Sequence, residues 1–453
     1  MSDVNLKIVS ELRSFLEICI QDPDVMDAFR KHKSDFIRNR KFPFKDLVLF
    51  IAQLNKKTLS VELDQFFENE FKSPFNSCSV SAFSQQRSKL DHLFFQIWNE
   101  VLYASFYHYG GTQVKRWRGY RVIAADGSAI SLISTKALSE YFGGQSNQQG
   151  SFTGAKTFVH YDMLNKLFIH SCFAPYRIGE LPMAYSAIEK LPPDSLAIYD
   201  RNFCNYKMVA LHCWQERERK FLIRAKESQK MIAQFIKSGQ QSAVVKMEVT
   251  PSAIKGLRLC GFIIGPKTVL NVRLVRVELT NGTIEVLLTN LWEEEGYETE
   301  LFKDLYNMRW GVETGFGILK NLLELESFSG LTVESVHQDF FATIFTSNLA
   351  SVIIDQAEQI LSPPVDSTKK RLGRPKTRNW ATKINVNKAT GKLRQTLITL
   401  FIHHDHQQVL QYLYAYFRKH KLPIRPGRTY PRKRKNKQTW CKHKTYSNYK
   451  RAA

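Results

Sequence analysis

The sequence lacks the paired motifs that mark a zinc centre or a disulfide framework. Its seven cysteines are scattered at positions 19, 78, 172, 204, 213, 260 and 441, without a CxxC spacing or a matching pair of histidines. This pattern favours a reducing compartment and argues against a zinc site. His403, His404 and His406 cluster, but without cysteine partners we interpret them as loop or helix-end residues and not as ligands.

Long apolar runs and internal repeats are also missing. No uninterrupted apolar run approaches the ~18 residues of a membrane span, and the start, MSDVNLK, does not resemble a signal peptide. We therefore expect a cytoplasmic, nucleoid-associated protein with no membrane partner. With 453 residues, 43% of them hydrophobic, the chain should form two or three globular domains.

Acidic residues are absent from two long cationic segments. The net charge is +23, and residues 369–394 and 421–451 contain many Lys and Arg but no Asp or Glu. Aromatic residues interrupt the second segment without an amphipathic helical period, so a nucleic-acid surface is favoured over a membrane surface. The weaker candidates for DNA contacts here are Arg374 and Lys376, in a Gly-Arg-Pro-Lys segment that also suits a plain basic linker, and Arg432, Lys433, Arg434 and Lys435.

The N-terminal region shows helical periodicity. Apolar spacing predicts helices over residues 4–21, 23–38 and 45–54, and a helix capped by Ser79 or Ser81 that runs to about residue 105. The first turns of this last helix should expose residue types that contact base edges and phosphates. An ordinary solvent-facing turn explains them equally well. These candidates for DNA contacts are Gln85, Gln86, Arg87 and Lys89.

Two predicted buried strands each end in an aspartate. The run 120–125 ends at Asp126, and the run 196–199 ends at Asp200, which is followed by Arg201. Such strands can lie side by side, with both carboxylates at one edge of a sheet. Further predicted elements complete this region: a short strand at 129–133, a hairpin of 155–163 and 166–174, helices at 181–191 and 205–216, and a strand at 221–225.

A β-rich insertion and a helix with a polar face follow. Strands are predicted at 244–249, 257–264, 269–279 and 284–291, with a hairpin turn at Asn281-Gly282. Residues 306–320 read as one helix, with an apolar stripe facing the core. An exposed face then combines one carboxylate with two cations and a phenol, although a surface helix with i, i+4 ion pairs gives the same pattern. These residues are Tyr306, Arg309, Glu313 and Lys320. Helices at 337–361 and 393–416 follow.

Asp126, Asp200 and Glu313 together favour phosphodiester chemistry. Three neighbouring carboxylates repel one another unless a divalent cation neutralises them, and oxygen-only ligands select Mg²⁺ or Mn²⁺ over Zn²⁺. Two such ions can activate water or a 3′ hydroxyl and stabilise the leaving oxygen. Arg309 and Lys320 would hold flanking phosphates, with Tyr306 as a donor or stacking ring. Each acid alone is more typical of a surface residue or a helix cap.

The pattern Y-x2-R-x3-E-x6-K, met by Tyr306, Arg309, Glu313 and Lys320, resembles the signature of the insertion sequence 4 family of DDE transposases. The segments RGYRVIAADGS and LAIYDRNF resemble the other two acidic motifs of that family, in the expected order. The resemblance implies an α/β fold with a ribonuclease-H-like catalytic core. The expected domains are an N-terminal helical DNA-binding domain at 1–115, the core at 116–226 and 296–361, the β-rich insertion at 227–295, and a helical, basic DNA-binding and dimerisation region at 362–453.

The resemblance also implies the activity and its partners. Asp126, Asp200 and Glu313 would be the catalytic and metal-binding residues, with two Mg²⁺ ions and Mn²⁺ as a substitute. Cut-and-paste transposition would be carried out by a homodimer in a synaptic complex with the inverted-repeat ends of the element and target DNA, without a small-molecule substrate. Tyr306, Arg309, Lys320 and Arg201 would bind DNA, and Trp292 would stack a flipped base. A metal-dependent nuclease without joining activity and a catalytically silent DNA-binding descendant are the alternatives.

Overall fold

The structure, a computed structural model, describes residues 4–38, 41–53, 56–71, 77–147, 150–214, 218–279, 282–361 and 381–424. The chain divides into two units. The first comprises residues 1–114, 131–154 and 318–453, and the second comprises residues 115–130 and 155–317. Some predicted features lie outside the described residues, namely Asn281 of the predicted hairpin turn and the basic residues Arg374, Lys376 and Arg432 to Lys435. The hairpin turn and the DNA contacts of these basic residues therefore remain predictions.

The elements alternate between helices and strands along the middle of the chain. The helices are α1 Val4–Gln21, α2 Pro23–Asp27, α3 Phe44–Gln53, α4 Leu59–Phe71, α5 Val80–Arg87, α6 Leu93–Tyr109, α7 Lys136–Phe142, α8 Glu180–Ala187, α9 Tyr206–Cys213, α10 Lys230–Ser238, α11 Pro251–Arg258, α12 Leu301–Asn307, α13 Gly311–Gly317, α14 Val333–Leu361, α15 Val386–Ile402 and α16 His406–Lys419. The strands are β1 Arg121–Leu132, β2 Gly144–Asn147, β3 Gly150–Asp162, β4 Leu167–Pro175, β5 Ser195–Tyr199, β6 Lys220–Arg224, β7 Ser242–Glu248, β8 Val269–Glu278, β9 Ile284–Thr289, β10 Thr382–Ile384 and β11 Lys421–Pro423.

The first unit is built around α14. This helix packs against α3, α6, α15 and α16. Trp98 of α6 stacks on Phe345 of α14, with ring centroids 3.9 Å apart, and its indole N–H donates to the carbonyl of Leu12 at 3.2 Å. Among the described residues, α14 is the one helix long and apolar enough to cross a membrane, with a mean hydropathy of 1.2 in an 18-residue window. Because 83% of that window is buried inside the protein, α14 is a helix of the protein core.

Several predicted helices are shorter in the structure because tertiary pairing interrupts them. The helices predicted at 4–21 and 45–54 match α1 and α3, but the one predicted at 23–38 ends with α2. The predicted helix from residue 79 to 105 is two helices, α5 and α6. The turn between them is held by an isolated β-bridge of Leu90 with Arg30, and the amide of Asp91 donates to the carbonyl of Phe29. Likewise, residues 393–416 form parts of α15 and α16, and His403 and His404 lie between them as predicted.

A central mixed sheet makes the protein a mixed α/β fold. Its strand order is β2-β3-β1-β5-β6-β9-β8-β7, and β4 pairs with β3. The pairs β1–β5 and β5–β6 are parallel, whereas the pairs β3–β4, β6–β9, β8–β9 and β7–β8 are antiparallel. Strand β5 is buried along its whole length, as expected of a parallel strand covered on both faces.

One face of this sheet in the second unit carries α12. The buried side chains come from β1, β5, β6, β8 and β9 on one side and from α12 on the other. Burying such apolar surface stabilises the packing by roughly 25 cal/mol per Å². The helix is thereby fixed against the parallel strands. The central members of this cluster are Val122, Leu196, Ile198, Leu222, Leu287, Phe302 and Leu305.

The strands of residues 227–295 extend the same sheet. The predictions at 244–249, 269–279 and 284–291 are confirmed by β7, β8 and β9, and β9 pairs with β6. The strand predicted at 257–264 is wrong. Thr250 caps α11 by accepting a hydrogen bond from the amide of Ala253 at 3.3 Å, and Pro251 occupies the first turn, so a helix forms where the apolar run begins. Leu259 and Ile263 are exposed in the loop that follows.

Candidate active site

Parallel pairing brings Asp126 and Asp200 to the same edge of β1 and β5. The last paired residues are Ala125 and Tyr199, and each aspartate is the next residue of its strand. Asp126 does not end a strand as predicted, since β1 continues to Leu132 and includes most of the separate strand expected at 129–133. Asp200 directly follows β5, and its carboxylate accepts the amide N–H of Asn202 at 2.8 Å. The parallel register of β1 and β5 confirms the prediction that Asp126 and Asp200 lie at the same edge of the sheet.

The segment that carries Glu313 is not one continuous helix. After α12, residues Met308–Trp310 form a 3₁₀ turn, α13 follows, and Ile318–Leu322 form a π-helical turn. The predicted exposed face is therefore wrong in part. Tyr306 is 5% exposed and belongs to the core under the sheet, and Arg309 is 6% exposed. Changes of helical pitch rotate these side chains away from the directions that a uniform 100° per residue assigns them.

Arg309 links two of the three acids. Its Nη1 lies 3.7 Å from Oδ2 of Asp126, and its Nη2 lies 3.2 Å from Oε1 of Glu313. The guanidinium also lies 4.5 Å from the ring centroid of Trp310, while its Nε is buried without a hydrogen-bond partner. A planar, permanently charged group in this place fixes the two carboxylates relative to one another. This contact favours a positioning role for Arg309 over the predicted grip on an exposed phosphate.

Asp126 is held in an environment that opposes its ionisation. Burial raises the pKa of its carboxyl to about 6, and the nearby carboxylates of Asp200 and Glu180 raise it as well. The amide of Gly127 and the guanidinium of Arg309 act in the opposite direction. A divalent cation would relieve this arrangement, because it favours the ionised form of every carboxylate around it. By its chemistry, the oxygen-only donor set of Asp126, Asp200 and Glu313 fits a hard cation such as Mg²⁺. The ligand oxygens of these three acids do not all lie within 4.8 Å of one another in the structure.

A basic cleft lies next to Asp200 along the chain. It has a volume of about 340 Å³ and is lined by three cations, Arg201, Arg224 and Lys226, and by Ala225, Glu227 and Ser228. Arg201 is exposed, whereas Arg224 forms an ion pair with Glu285 at 2.9 Å. The positive charge of Arg201, Arg224 and Lys226 suits the binding of a phosphate group. Sequence reasoning identified Arg201 but missed Arg224, the last residue of β6, and Lys226, which follows this strand, since neither belongs to a recognisable motif.

The remaining predicted contacts lie in different surroundings. Tyr306 is buried in the core and is not the exposed ring that was predicted, and its burial raises the pKa of the phenol to about 12. Trp292 is half-buried after β9, before the short helical turn Glu293–Glu295. Lys320 belongs to the first unit and lies 3.7 Å from Glu326. The DNA-binding roles of Lys320 and Trp292 stay predictions.

The N-terminal candidates are only partly exposed. Gln86 is buried and donates to the carbonyl of Phe42 at 2.9 Å. Arg87 is 3% exposed, and its guanidinium donates to Gln338 at 2.6 Å and forms an ion pair with Asp339 at 2.7 Å. The prediction that these two side chains face solvent is wrong, because both hold the core of the first unit together. Gln85 is exposed and Lys89 is half-exposed, so both stay candidates.

A second acidic cluster lies in the first unit. The ligand atoms of Asp91, His92 and Glu334 lie within 4.8 Å of one another, the one such group among the described residues. Lys31 already forms ion pairs with both Asp91 and Glu334. A lysine ammonium supplies the charge that a metal ion would otherwise bring. We interpret the cluster as an ion-pair network that joins α14 to the start of α6.

Comparison with known proteins identifies the family of the chain. Residues 117–349, just over half of the 453-residue chain, match the family described as the transposase DDE domain. The chain belongs to this transposase family. The matched segment includes Asp126, Asp200 and Glu313. A DDE domain implies dependence on divalent metal in general.

Curated relatives match a smaller part of the chain. InsL of insertion sequence element IS186A from Escherichia coli strain K12 is 32% identical over 104 residues, which is 23% of this chain and 26% of InsL. The transposase of insertion sequence element IS421 from Escherichia coli matches to the same extent. The chain thus spans about a quarter of the length of these relatives. A solved piggyBac transposase synaptic complex with hairpin DNA is similar at a TM-score of 0.40 and 12% identity, over 95% of this chain and 85% of that one.

Proposed function

We propose that this DDE domain protein is a DNA transposase of the insertion sequence 4 type, which cuts the ends of its element and joins them to target DNA. The observation that carries the proposal is the arrangement of the three acids. Asp126 and Asp200 follow the last register pair of two parallel strands, and Arg309 contacts both Asp126 and Glu313. Membership of the transposase DDE family supports the same function.

Asp126, Asp200 and Glu313 would hold two Mg²⁺ ions, with Mn²⁺ as a substitute. Bound there, the ions supply activation of the attacking water or 3′ hydroxyl and stabilisation of the leaving oxygen. Arg309 keeps Asp126 and Glu313 in place before the metal arrives. The cleft lined by Arg201, Arg224 and Lys226 would bind a backbone phosphate of the DNA next to Asp200. Tyr306 supports this wall of the site from the core.

A ribonuclease-H-like core is part of the proposal. In the strand order β4-β3-β1-β5-β6, β4 and β3 pair antiparallel, and β1, β5 and β6 are parallel to one another. Ligands of open α/β sheets bind outside the carboxyl ends of parallel strands, and Asp200 directly follows β5 at this edge. The order of the strands and the position of the acids support a core of this type, with residues 227–295 as its insertion.

We further infer the partners and the place of action. Residues 1–115 and the cationic region 362–453 would bind the inverted-repeat ends and target DNA, and a homodimer would hold two ends in a synaptic complex. The charge of +23 supports a polyanionic partner. The expected location is the cytoplasm, in association with the nucleoid.

A cleavage and joining assay tests this function. The full chain is incubated with linear DNA that carries the ends of the flanking element, together with a supercoiled target plasmid, in Mg²⁺ or Ca²⁺. We expect cuts at the element ends and joined products in Mg²⁺ alone. Cuts without joined products would indicate a nuclease, and DNA binding without any cut would indicate a silent descendant. Either result would overturn the proposal.

A further inference from the structure

Gly127 makes room for a fourth carboxylate beside Asp126. A Cβ atom added at Gly127 would lie 2.6 Å from Cγ, 2.7 Å from Cδ and 3.0 Å from Oε1 of Glu180. Two of these separations are shorter than carbon atoms tolerate. The Glu180 side chain therefore packs directly on the backbone of the residue that follows Asp126, and only glycine permits this approach.

The same carboxylate also reaches the side of Asp200. The Nδ2 of Asn202 lies 3.4 Å from Oε2 of Glu180, and the backbone amide of Asn202 donates to the carboxylate of Asp200 at 2.8 Å. Glu180 thus lies between the residue after Asp126 and a residue that contacts Asp200. It is half-buried as the first residue of α8, on an element that sequence reasoning did not connect with the acidic residues.

An acid in the first turn of a helix has an ordinary explanation, since it complements the helix dipole. That explanation accounts for an exposed carboxylate directed to solvent. It does not account for a side chain packed against Gly127 in a site that already holds two aspartates. Among the described residues, no lysine, arginine or histidine forms an ion pair with Glu180. A carboxylate that lies near other carboxylates and has no cationic side chain as its own partner is available to a cation from outside the chain.

We propose that Glu180 is a fourth acidic residue of the metal site, acting with Asp126, Asp200 and Glu313 as a ligand or through a bound water. This inference rests on the proposed function and adds a residue to the same site. Four carboxylates carry the charge that two divalent cations neutralise, and Arg309 remains paired with two of them. Asn202 would orient the Glu180 carboxylate through its amide.

Binding of Mn²⁺ to the full chain, followed by electron paramagnetic resonance without DNA, tests the inference apart from activity. The decisive variant is Glu180→Gln, which keeps the shape and removes the charge. We expect its Mn²⁺ affinity to fall by about tenfold or more, the effect typical of lost metal-site partners. Gly127→Ala keeps the charge but displaces the carboxylate, and we expect a loss in the same direction. Circular dichroism confirms that each variant is folded.

Glu189→Gln is the matched control, because Glu189 is an exposed acid of the short helical turn after α8. Its Mn²⁺ affinity should stay within about twofold of the original protein, well under the effect of a lost partner. Unchanged affinity in Glu180→Gln would overturn the inference. A loss in Glu180→Gln with none in Gly127→Ala would also overturn it, since net charge and not placement would then be responsible. Unchanged Mn²⁺ binding in Asp126→Asn would instead contradict the proposed function itself.

Discussion

Replacing Asp126 with asparagine should stabilise the metal-free protein at neutral pH while it removes cleavage. The reason is the site itself, because burial raises the pKa of the Asp126 carboxyl to about 6 from 3.8. At neutral pH the folded protein therefore holds an ionised carboxylate in a place that favours the neutral acid. Asparagine has nearly the same shape and carries no charge. The substitution would gain stability because the Asp126 carboxylate is kept for its function, at a cost in stability.

The size and sign of the effect follow from the two pKa values. Between pH 3.8 and about 6 the folded protein binds more protons at Asp126 than the unfolded chain, so stability falls as the pH rises through this window. The values differ by about 2, and each unit corresponds to about 1.36 kcal/mol, so ionised Asp126 lowers the free energy of unfolding by roughly 3 kcal/mol. The substitution also removes the ion pair of Asp126 with Arg309, which is long at 3.7 Å. We expect a net gain of about 2 kcal/mol above pH 6 and none near pH 4.

The assay is urea unfolding followed by tryptophan fluorescence, in EDTA, at several pH values from 4 to 8. Asp194→Asn is the control of opposite sign. Burial opposes ionisation there too, but hydrogen bonds from Arg121 and Arg116 hold the pKa of Asp194 below its ordinary value. The ionised Asp194 carboxylate stabilises the folded protein above the pKa that it has in the unfolded chain, and this stabilisation is lost as the pH falls. The Asp194→Asn variant should therefore be less stable than the original protein at neutral pH. The reasoning would be refuted if Asp126→Asn were no more stable than the original protein, or if its gain in the free energy of unfolding were the same at every pH.

Two further predictions concern the rest of the chain. Against the effect of burial, hydrogen bonds from His92 and Lys31 lower the pKa of Glu334 to about 2, so its stabilisation is full above pH 4.5 and is lost as the pH falls through 2. Glu334→Gln should therefore lower the free energy of unfolding by about 2 kcal/mol at pH 7, after allowance for the partial exposure of this side chain. Urea unfolding measures the change. A variant as stable as the original protein would contradict the stabilising role of the ion pairs that Glu334 forms with Lys31 and His92. Deleting residues 425–453 should flatten the salt dependence of DNA binding by about one in slope for each lost phosphate contact. An unchanged slope in a filter-binding titration would place this segment away from DNA.

The acidic site was predictable from sequence to the extent that strand geometry determines it. Asp126 and Asp200 each follow a buried apolar run, and parallel pairing brings the ends of such runs to one edge of a sheet. The periodicity of residues 306–320 predicted a helix that carries Glu313. It did not predict the 3₁₀ and π turns, because these depend on tertiary packing and not on local preference.

Contacts between distant residues account for most of what the sequence did not reveal. Arg87 looked like a DNA contact because its partner Asp339 lies 252 positions away. Glu180 gave no signal, since an acid at a helix start is common and its contact with Gly127 appears only in the fold. The apolar run 257–264 resembled a strand, although the cap at Thr250 and the proline after it were readable as a helix start.

The most direct test of the central claim compares charge-neutral variants of the three acids on one DNA substrate. Asp126→Asn, Asp200→Asn and Glu313→Gln are assayed for Mg²⁺-dependent cleavage of element-end DNA, and DNA binding is measured in Ca²⁺. Asp194→Asn serves as the control, because Asp194 pairs with Arg121 and Arg116. We expect each of the three variants to bind DNA as the original protein does and to lose Mg²⁺-dependent cleavage, whereas the Asp194→Asn control cleaves. Cleavage that survives in any one of the three would contradict a single metal-dependent site built from all of them.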